Sequence, residues 1–374
     1  MQYTEYELGE LLPFEQPTAY IVKSTDYCDA YATPVLTAGK SFILGKTNES
    51  DGIFDQLPVI IFDDFTTATQ FVNFRFKVKS SAMKILHINT DLVIPKYIFY
   101  RLQIIQFDHS THKRYWIQSY SKIKVLIPPL DEQFRIVARI EELFSELDKA
   151  VDTLKTTKEQ LEVYRQAVLK DAFSDFEKKD SIRNLTMVVT SGSRGWAKYY
   201  SNSGALFVRI GNLTHSGIDI DFRDIQHITP PDNAEGVRTR LQPNDVLVSI
   251  TADLGSIGFV SEKVEEAYIN QHIALVRFQN PVQGRFMAWY LRSEYGQKDL
   301  LKNKRGGGKL GLGLDDIRDT PVPIVSDLVA QKTVDEIEER LSVCDSIEKT
   351  VDATLAQADA MRQSILKQSF EEKI

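Results

Sequence analysis

Cysteine is almost missing from this chain: Cys28 and Cys344 are the only two among 374 residues, and they stand far apart. That excludes a disulfide framework and suits a reducing compartment. Long hydrophobic runs are missing too, none approaching the roughly 18 apolar residues that a membrane span needs. The opening MQYTEYELGE carries acids where a signal peptide would carry bases. A cytoplasmic protein with no membrane partner is expected. Glycine and proline are absent from residues 131–176 and again from 326–374, so nothing interrupts a helix in either window. What is present is ordinary core material, with 43% hydrophobic and 10% aromatic residues. This composition excludes disorder, and at roughly 100–200 residues per domain the length allows two or three domains.

The two uninterrupted windows are copies of each other. Arg165-Gln-Ala-Val-Leu-Lys-Asp-Ala-Phe173 recurs as Arg362-Gln-Ser-Ile-Leu-Lys-Gln-Ser-Phe370, an offset of 197. The same offset pairs Ile140-Glu-Glu142 with Ile337-Glu-Glu339, and Ser145, Asp148, Thr153, Thr157 and Gln160 with identical residues. Each copy has a seven-residue apolar period: Ile140, Leu147, Leu154, Leu161 and Val168 in one, Ile337, Cys344, Val351, Ala358 and Ile365 in the other. A second seam position holds Leu143, Ala150, Thr157 and Tyr164, then Ile347, Thr354 and Met361. Heptads with charged flanks predict two long helices that pair as a coiled coil. Pro128-Pro129 and Pro321-Val-Pro323 mark their entrances.

Between the helices the pattern changes to short apolar strands bounded by Gly, Asn and Pro. Strands are expected at Leu206–Ile210, Asp245–Ile250 and Ile273–Phe278 in the second half, and at Val59–Phe62 and Phe71–Lys77 in the first. An aromatic amphipathic helix follows each set, around 95–106 and 284–295. A basic or glycine-rich loop and a short strand then lead into the long helix. The expected fold class is α+β: two mixed α/β globular domains, two long antiparallel helices and a pseudo-twofold internal repeat. The boundaries fall at 1–127, 128–180, 181–323 and 324–374.

Charge divides along the same lines. The chain carries -7 overall, yet the helical segments 128–180 and 322–374 hold -9, and the rest holds +2. The globular parts are therefore free to present basic faces to a phosphate backbone. Two loops do so at matching places. One runs through His112, Lys113, Arg114 and Tyr115; the other holds Lys302, Lys304, Arg305 and Lys309 around three glycines. A third loop, with Ser193, Arg194, Trp196 and Lys198, mixes bases, hydroxyls and aromatics. Bases position phosphates, and an arginine such as Arg194 can read a base edge.

Enzyme motifs fail one by one. Gly39-Lys-Ser41 and Gly45-Lys-Thr47 end like a phosphate loop, but the first glycine it requires is replaced by Pro34 and Lys40. Asp63-Asp64 lacks a third carboxylate, His109 and His112 lack acidic or Cys partners, and Glu177-Lys-Lys179 lacks a strand acid. No nucleophile–base pair is visible. A non-catalytic chain without a metal is expected, and a coiled-coil scaffold whose heads bind other proteins is the competing class.

Several segments together resemble the specificity subunit of type I DNA restriction-modification enzymes. They are Thr33-Pro-Val-Leu-Thr-Ala-Gly-Lys-Ser-Phe-Ile-Leu-Gly45, Ile127-Pro-Pro-Leu-Asp-Glu-Gln133, Phe207-Val-Arg-Ile-Gly-Asn-Leu213 and Gly306-Gly-Gly-Lys-Leu-Gly-Leu-Gly-Leu-Asp-Asp-Ile317. The second helix entrance, Val322-Pro-Ile-Val-Ser-Asp-Leu-Val-Ala-Gln331, departs from the compact form of the first. The resemblance implies two target recognition domains, each reading half of a bipartite double-stranded DNA site. It implies paired helices that set the spacer and dock methylation subunits, with a restriction subunit joining them. S-adenosylmethionine, ATP and Mg2+ would sit on those partners, and no cofactor on this chain.

Overall fold

The computed structural model describes residues 3–37, 41–108, 114–302, 304 and 311–371. They form two compact units, Met1–Leu154 with Ala353–Ile374 and Lys155–Asp352.

The first unit contains strands β1 (Thr4–Glu7), β2 (Phe14–Glu15), β3 (Thr33–Leu36), β4 (Ile43–Thr47), β5 (Val59–Asp63), β6 (Thr69–Val72), β7 (Lys77–Val78), β8 (Met83–His87) and β9 (Lys124–Ile127). They make a four-stranded sheet in the order β2-β8-β5-β6, a three-stranded sheet β4-β3-β7, and the pair β1-β9. The expected strand 71–77 is broken, its ends falling in β6 and β7 of different sheets. Ile98 and Leu102 of the helix Pro95–Leu102 enter a core with Leu8, Ile60, Phe62, Leu86 and Trp116. Proline at the first turn of that helix suits its fixed φ and missing donor.

The second unit repeats the plan with β10 (Lys178–Ser181), β11 (Thr186–Ser191), β12 (Tyr200–Ser201), β13 (Ala205–Val208), β14 (Gln226–Ile228), β15 (Val246–Ser249), β16 (Ile257–Phe259), β17 (Ala267–Ile269), β18 (Ile273–Phe278) and β19 (Pro321–Pro323). Its orders are β11-β18-β15-β16, β12-β14-β13-β17 and β10-β19. The parallel pair β3–β7 recurs as β13–β17, and every other pairing of the first unit has an antiparallel counterpart in the second. The globular halves are thus copies of one topology, beyond what their side chains reveal.

The two long helices run Leu130–Phe173 and Asp327–Glu371, starting just past the marked prolines. Within the first unit, Leu366 and Phe370 of the C-terminal helix enter the core with Ile136, Val137 and Ile140 of the central one. Within the second, Val168, Leu169 and Phe173 enter the other core with Val334, Ile337 and Leu341. Rising numbers on one helix meet falling numbers on the other, so each segment of the pair is antiparallel. Lys158 pairs with Asp352 (2.8 Å) and Arg165 with Asp345 (2.7 Å). Arg362 pairs with Asp148, which is the Arg165–Asp345 contact displaced by 197 in both partners.

The heptad seam holds only in part. Ile140, Leu147, Val168, Ile337, Cys344 and Val351 are buried, and Leu154, Leu161, Ala358 and Ile365 are half-buried. The second seam position does not close as expected: Ala150, Tyr164, Ile347, Thr354 and Met361 are exposed. Ion pairs and cation–ring contacts take that flank. The Arg340 guanidinium, for example, stacks over Tyr164 and donates to Asp171 (2.8 Å). One buried stripe per helix, fed into a domain core at its end, replaces the interlocked double seam.

Each domain–helix junction is tied by one glutamine. Gln133, fully buried on the central helix, accepts from the Ile94 N–H (2.8 Å) and donates to the Leu92 and Pro128 carbonyls. Its counterpart on the C-terminal helix is Ala330. There Gln283, on the domain helix Gln283–Arg292, reaches the other way and donates to Asp327 (2.6 Å) and the Val325 carbonyl.

Candidate nucleic-acid interface

In the second unit the loop after β11 is built to be rigid. Gly192 has no room for a Cβ, which would lie 2.4 Å from the Ile269 carbonyl oxygen, and Gly195 takes the left-handed conformation (φ +89). The short helix Ala234–Thr239 clamps the loop from outside. Glu235 accepts from the Ser193 N–H (2.9 Å) and the Trp196 indole (3.0 Å), while Arg238 donates to Thr190 Oγ1 (2.8 Å) and Ser193 Oγ (2.9 Å). Burial opposes the Glu235 anion, yet the hydrogen bonds from Ser193 and Trp196, with Arg238 nearby, hold its carboxyl below the usual range.

The loop carries Arg194 exposed at its tip, with no hydrogen-bond or ion-pair partner among the described residues. Lys198 is exposed and lies over the Tyr199 ring (4.8 Å). Trp196 is in a different position: it is 3% exposed, stacked on Phe207 at 5.1 Å, and supports the loop from below.

A chain of contacts links this loop to the second basic segment. The Gly192 N–H donates to the Asn270 carbonyl, and the His272 N–H to Asn270 Oδ1 (2.9 Å). The Ile250 N–H donates to the His272 carbonyl (2.9 Å), and the Leu312 N–H to the Ile250 carbonyl (2.9 Å). Thr251 bridges to Gly311. Lys302 and Lys304 are exposed beyond the helix Glu294–Leu300, while Arg305 and Lys309 lie outside the described residues. Backbone contacts therefore join the 190–200 loop to Gly311 and Leu312 along one strip that passes Asn270, Gln271, His272 and Thr251. Sequence reasoning passed over these four, because nothing local marks them.

The first unit has the same backbone crossing. The Asp64 N–H donates to the Ala82 carbonyl (3.4 Å) and the Tyr115 N–H to the Asp64 carbonyl (2.9 Å), so Asp64, Ala82 and Tyr115 stand where Ile250, His272 and Leu312 stand. The Asp64 carboxylate also accepts from the Trp116 N–H (2.9 Å) and pairs with Lys84 (3.3 Å), both charged side chains being buried. Asp63 accepts from the Phe65 N–H (2.9 Å) and shapes the turn. Arg114 is exposed, whereas His112 and Lys113 lie outside the described residues. Tyr115 is only 4% exposed and meets Phe107 edge-on in the core, so it anchors the loop's exit.

Among the described residues no group of three His, Cys, Asp or Glu side chains could hold a metal. No described helix is long and apolar enough to cross a membrane. Ser256, His215 and Asp253 do converge. However, Ser256 Oγ (3.1 Å) and Asp253 Oδ1 (2.7 Å) both meet the same ring nitrogen, Nε2, so the ring cannot relay a proton between them.

Residues 2–163 match the family model of the type I restriction modification DNA specificity domain. The specificity subunit of the type I restriction enzymes EcoR124I/EcoR124II of Escherichia coli is 45% identical over 174 residues, 43% of this chain and 43% of that protein. The EcoBI specificity subunit of Escherichia coli is 24% identical over 277 residues, 65% of this chain and 57% of that protein. The chain thus spans about half the length of the curated relatives it matches. Among solved structures, one from a study of complex assembly and conformational transition of the type I R-M system has a TM-score of 0.71 at 17% identity, covering 100% of this chain and 98% of that one. The HsdS subunit from Thermoanaerobacter tengcongensis has a TM-score of 0.56 at 16% identity, covering 100% and 97%. At these identities the likeness is one of fold.

Proposed function

We propose that the chain is the sequence-reading subunit of a type I restriction-modification complex, a reading supported by the match of residues 2–163 to the model of that family's DNA specificity domain. Each globular half, 1–127 and 181–323, reads one part of a bipartite duplex site. The helical segments 128–180 and 324–374 set the unspecified spacer and dock methylation subunits, with a restriction subunit completing the assembly. The chain is non-catalytic by itself, and S-adenosylmethionine, ATP and Mg2+ belong to its cytoplasmic partners.

One observation carries this reading: a duplicated scaffold repeats one backbone crossing in both units, with an exposed arginine near each, Arg114 beside Tyr115 and Arg194 two residues from Gly192. Exposed Arg194, Lys302 and Lys304 suit phosphates and base edges, and the negative charge stays on the helices.

The test is selection of the full chain against a randomised duplex pool over a range of salt. The expected result is an enriched two-part sequence whose affinity falls steeply with salt. Replacing residues 181–321 with the matching segment of a relative should change one part alone. Salt-independent, sequence-blind binding would favour the protein-scaffold alternative.

A further inference from the structure

The centre of the strip in the second unit is a preset hydrogen-bond relay. Gln271 Nε2 lies 2.8 Å from His272 Nε2, and His272 Nδ1 meets Thr251 Oγ1. An amide nitrogen can only donate, so the His272 Nε2 must accept. In the neutral ring the proton then sits on Nδ1 and is donated to Thr251. One N–H of Gln271 is used in this way. Its other N–H and its Oε1 have no partner among the described residues, and Oε1 is not a buried atom. In this arrangement the amide keeps one donor and one acceptor free.

The place of this amide matters as much as its chemistry. Asn270 supports Gly192, two residues before exposed Arg194, and Thr251 bridges Gly311 at the end of the glycine-rich basic segment. In the first unit the equivalent positions are Ser81, Ala82 and Phe65, set by the shared crossing of Asp64 with Ala82. The backbone is repeated while the side chains that it presents are not. Two readers on one scaffold need that difference if they are to take different sequences.

We propose that Gln271, oriented by His272 and Thr251, is a specificity-determining residue that reads an adenine in the half-site taken by the second unit. A glutamine with one free N–H and a free oxygen matches adenine N7 and N6 in the major groove. His272 and Thr251 are positioning residues that hold one end of the amide and leave its other polar groups free. This rests on the DNA-reading function proposed above.

The experiment is selection of the full chain, wild type and Gln271→Glu, from the same randomised duplex pool at one salt concentration. Glutamate cannot donate to N7 but accepts from cytosine N4. The His272 ring can move its proton to Nε2 and Thr251 can donate in turn, so the relay survives the change. At one base pair of one half-site the preference should move from A·T to C·G, by roughly 10- to 100-fold, with the other half-site and the salt slope kept. His272→Phe should loosen the choice at that same pair. An unchanged consensus, or an affinity loss spread evenly over all positions, overturns the assignment of Gln271. A wild-type chain that enriches no sequence overturns the DNA-reading function itself.

Discussion

Replacing Asp64 should unfasten the basic segment of the first unit. Its carboxylate faces Lys84, and the two side chains are 2% and 1% exposed. It also holds the Trp116 N–H, while its carbonyl holds the Tyr115 N–H. Asp64→Ala leaves the Lys84 ammonium buried without a counter-charge, a loss worth about 3–5 kcal/mol. With a urea slope of about 2 kcal/mol/M, the midpoint of the first unit should fall by roughly 2 M. Urea titration with pulsed hydrogen exchange, read peptide by peptide, separates the two units. Peptides covering 59–63 and 114–127 should lose protection early, while those covering 246–278 keep the wild-type midpoint. Adding Lys84→Met to Asp64→Ala should restore part of the loss, because no buried charge then remains. A shift below about 0.5 M, or no recovery in the double variant, would refute the account of a buried pair that fixes the loop.

Three further outcomes are expected. The Glu235 carboxyl is held below the usual range, so its support for the 190–200 loop is full above about pH 4.3, the unfolded value, and is lost as pH falls through the lower folded value; the protection of the Trp196 indole proton, its exchange by NMR compared with the intrinsic rate at each pH, should fall in acid, and Glu235→Gln should flatten that response. Phe370→Ala removes a ring that packs edge-on against Tyr97 at 5.3 Å and under Arg101, so it should destabilise the first unit by about 3 kcal/mol in a denaturant titration. Arg194→Ala should lower sequence discrimination in duplex selection far more than it lowers binding to a random duplex, because Gly195 and Glu235 hold the loop without it.

The sequence made the architecture readable wherever its signal was periodic or repeated. The 197-residue offset, the proline entrances and the strands Val59–Phe62 and Ile273–Phe278 all lead directly to elements of the fold. The failures have physical causes. The second heptad position gave no warning of exposure, since the Arg340 guanidinium, held by Asp171, meets the Tyr164 ring where an apolar partner was expected. Tyr115 and Trp196 look like surface aromatics among bases, yet burial beneath each loop makes them props. Gln271, His272 and Thr251 were invisible as a group because only strand pairing of β15 with β18 brings them together.

The glutamine ties have a bearing on how such a duplicated chain can change over generations. Two copies of one helix invite exchange between halves, and a crossover at the domain–helix junction would look harmless in sequence. It would not be harmless in three dimensions. The first domain joined to the C-terminal helix would set Ala330 beneath Ile94 and Leu92, with their backbone groups unanswered. The second domain joined to the central helix would crowd Gln133 and Gln283 toward one junction. Exchange at the seam between domain and helix is therefore penalised. Each globular domain is matched to the first turn of its own helix.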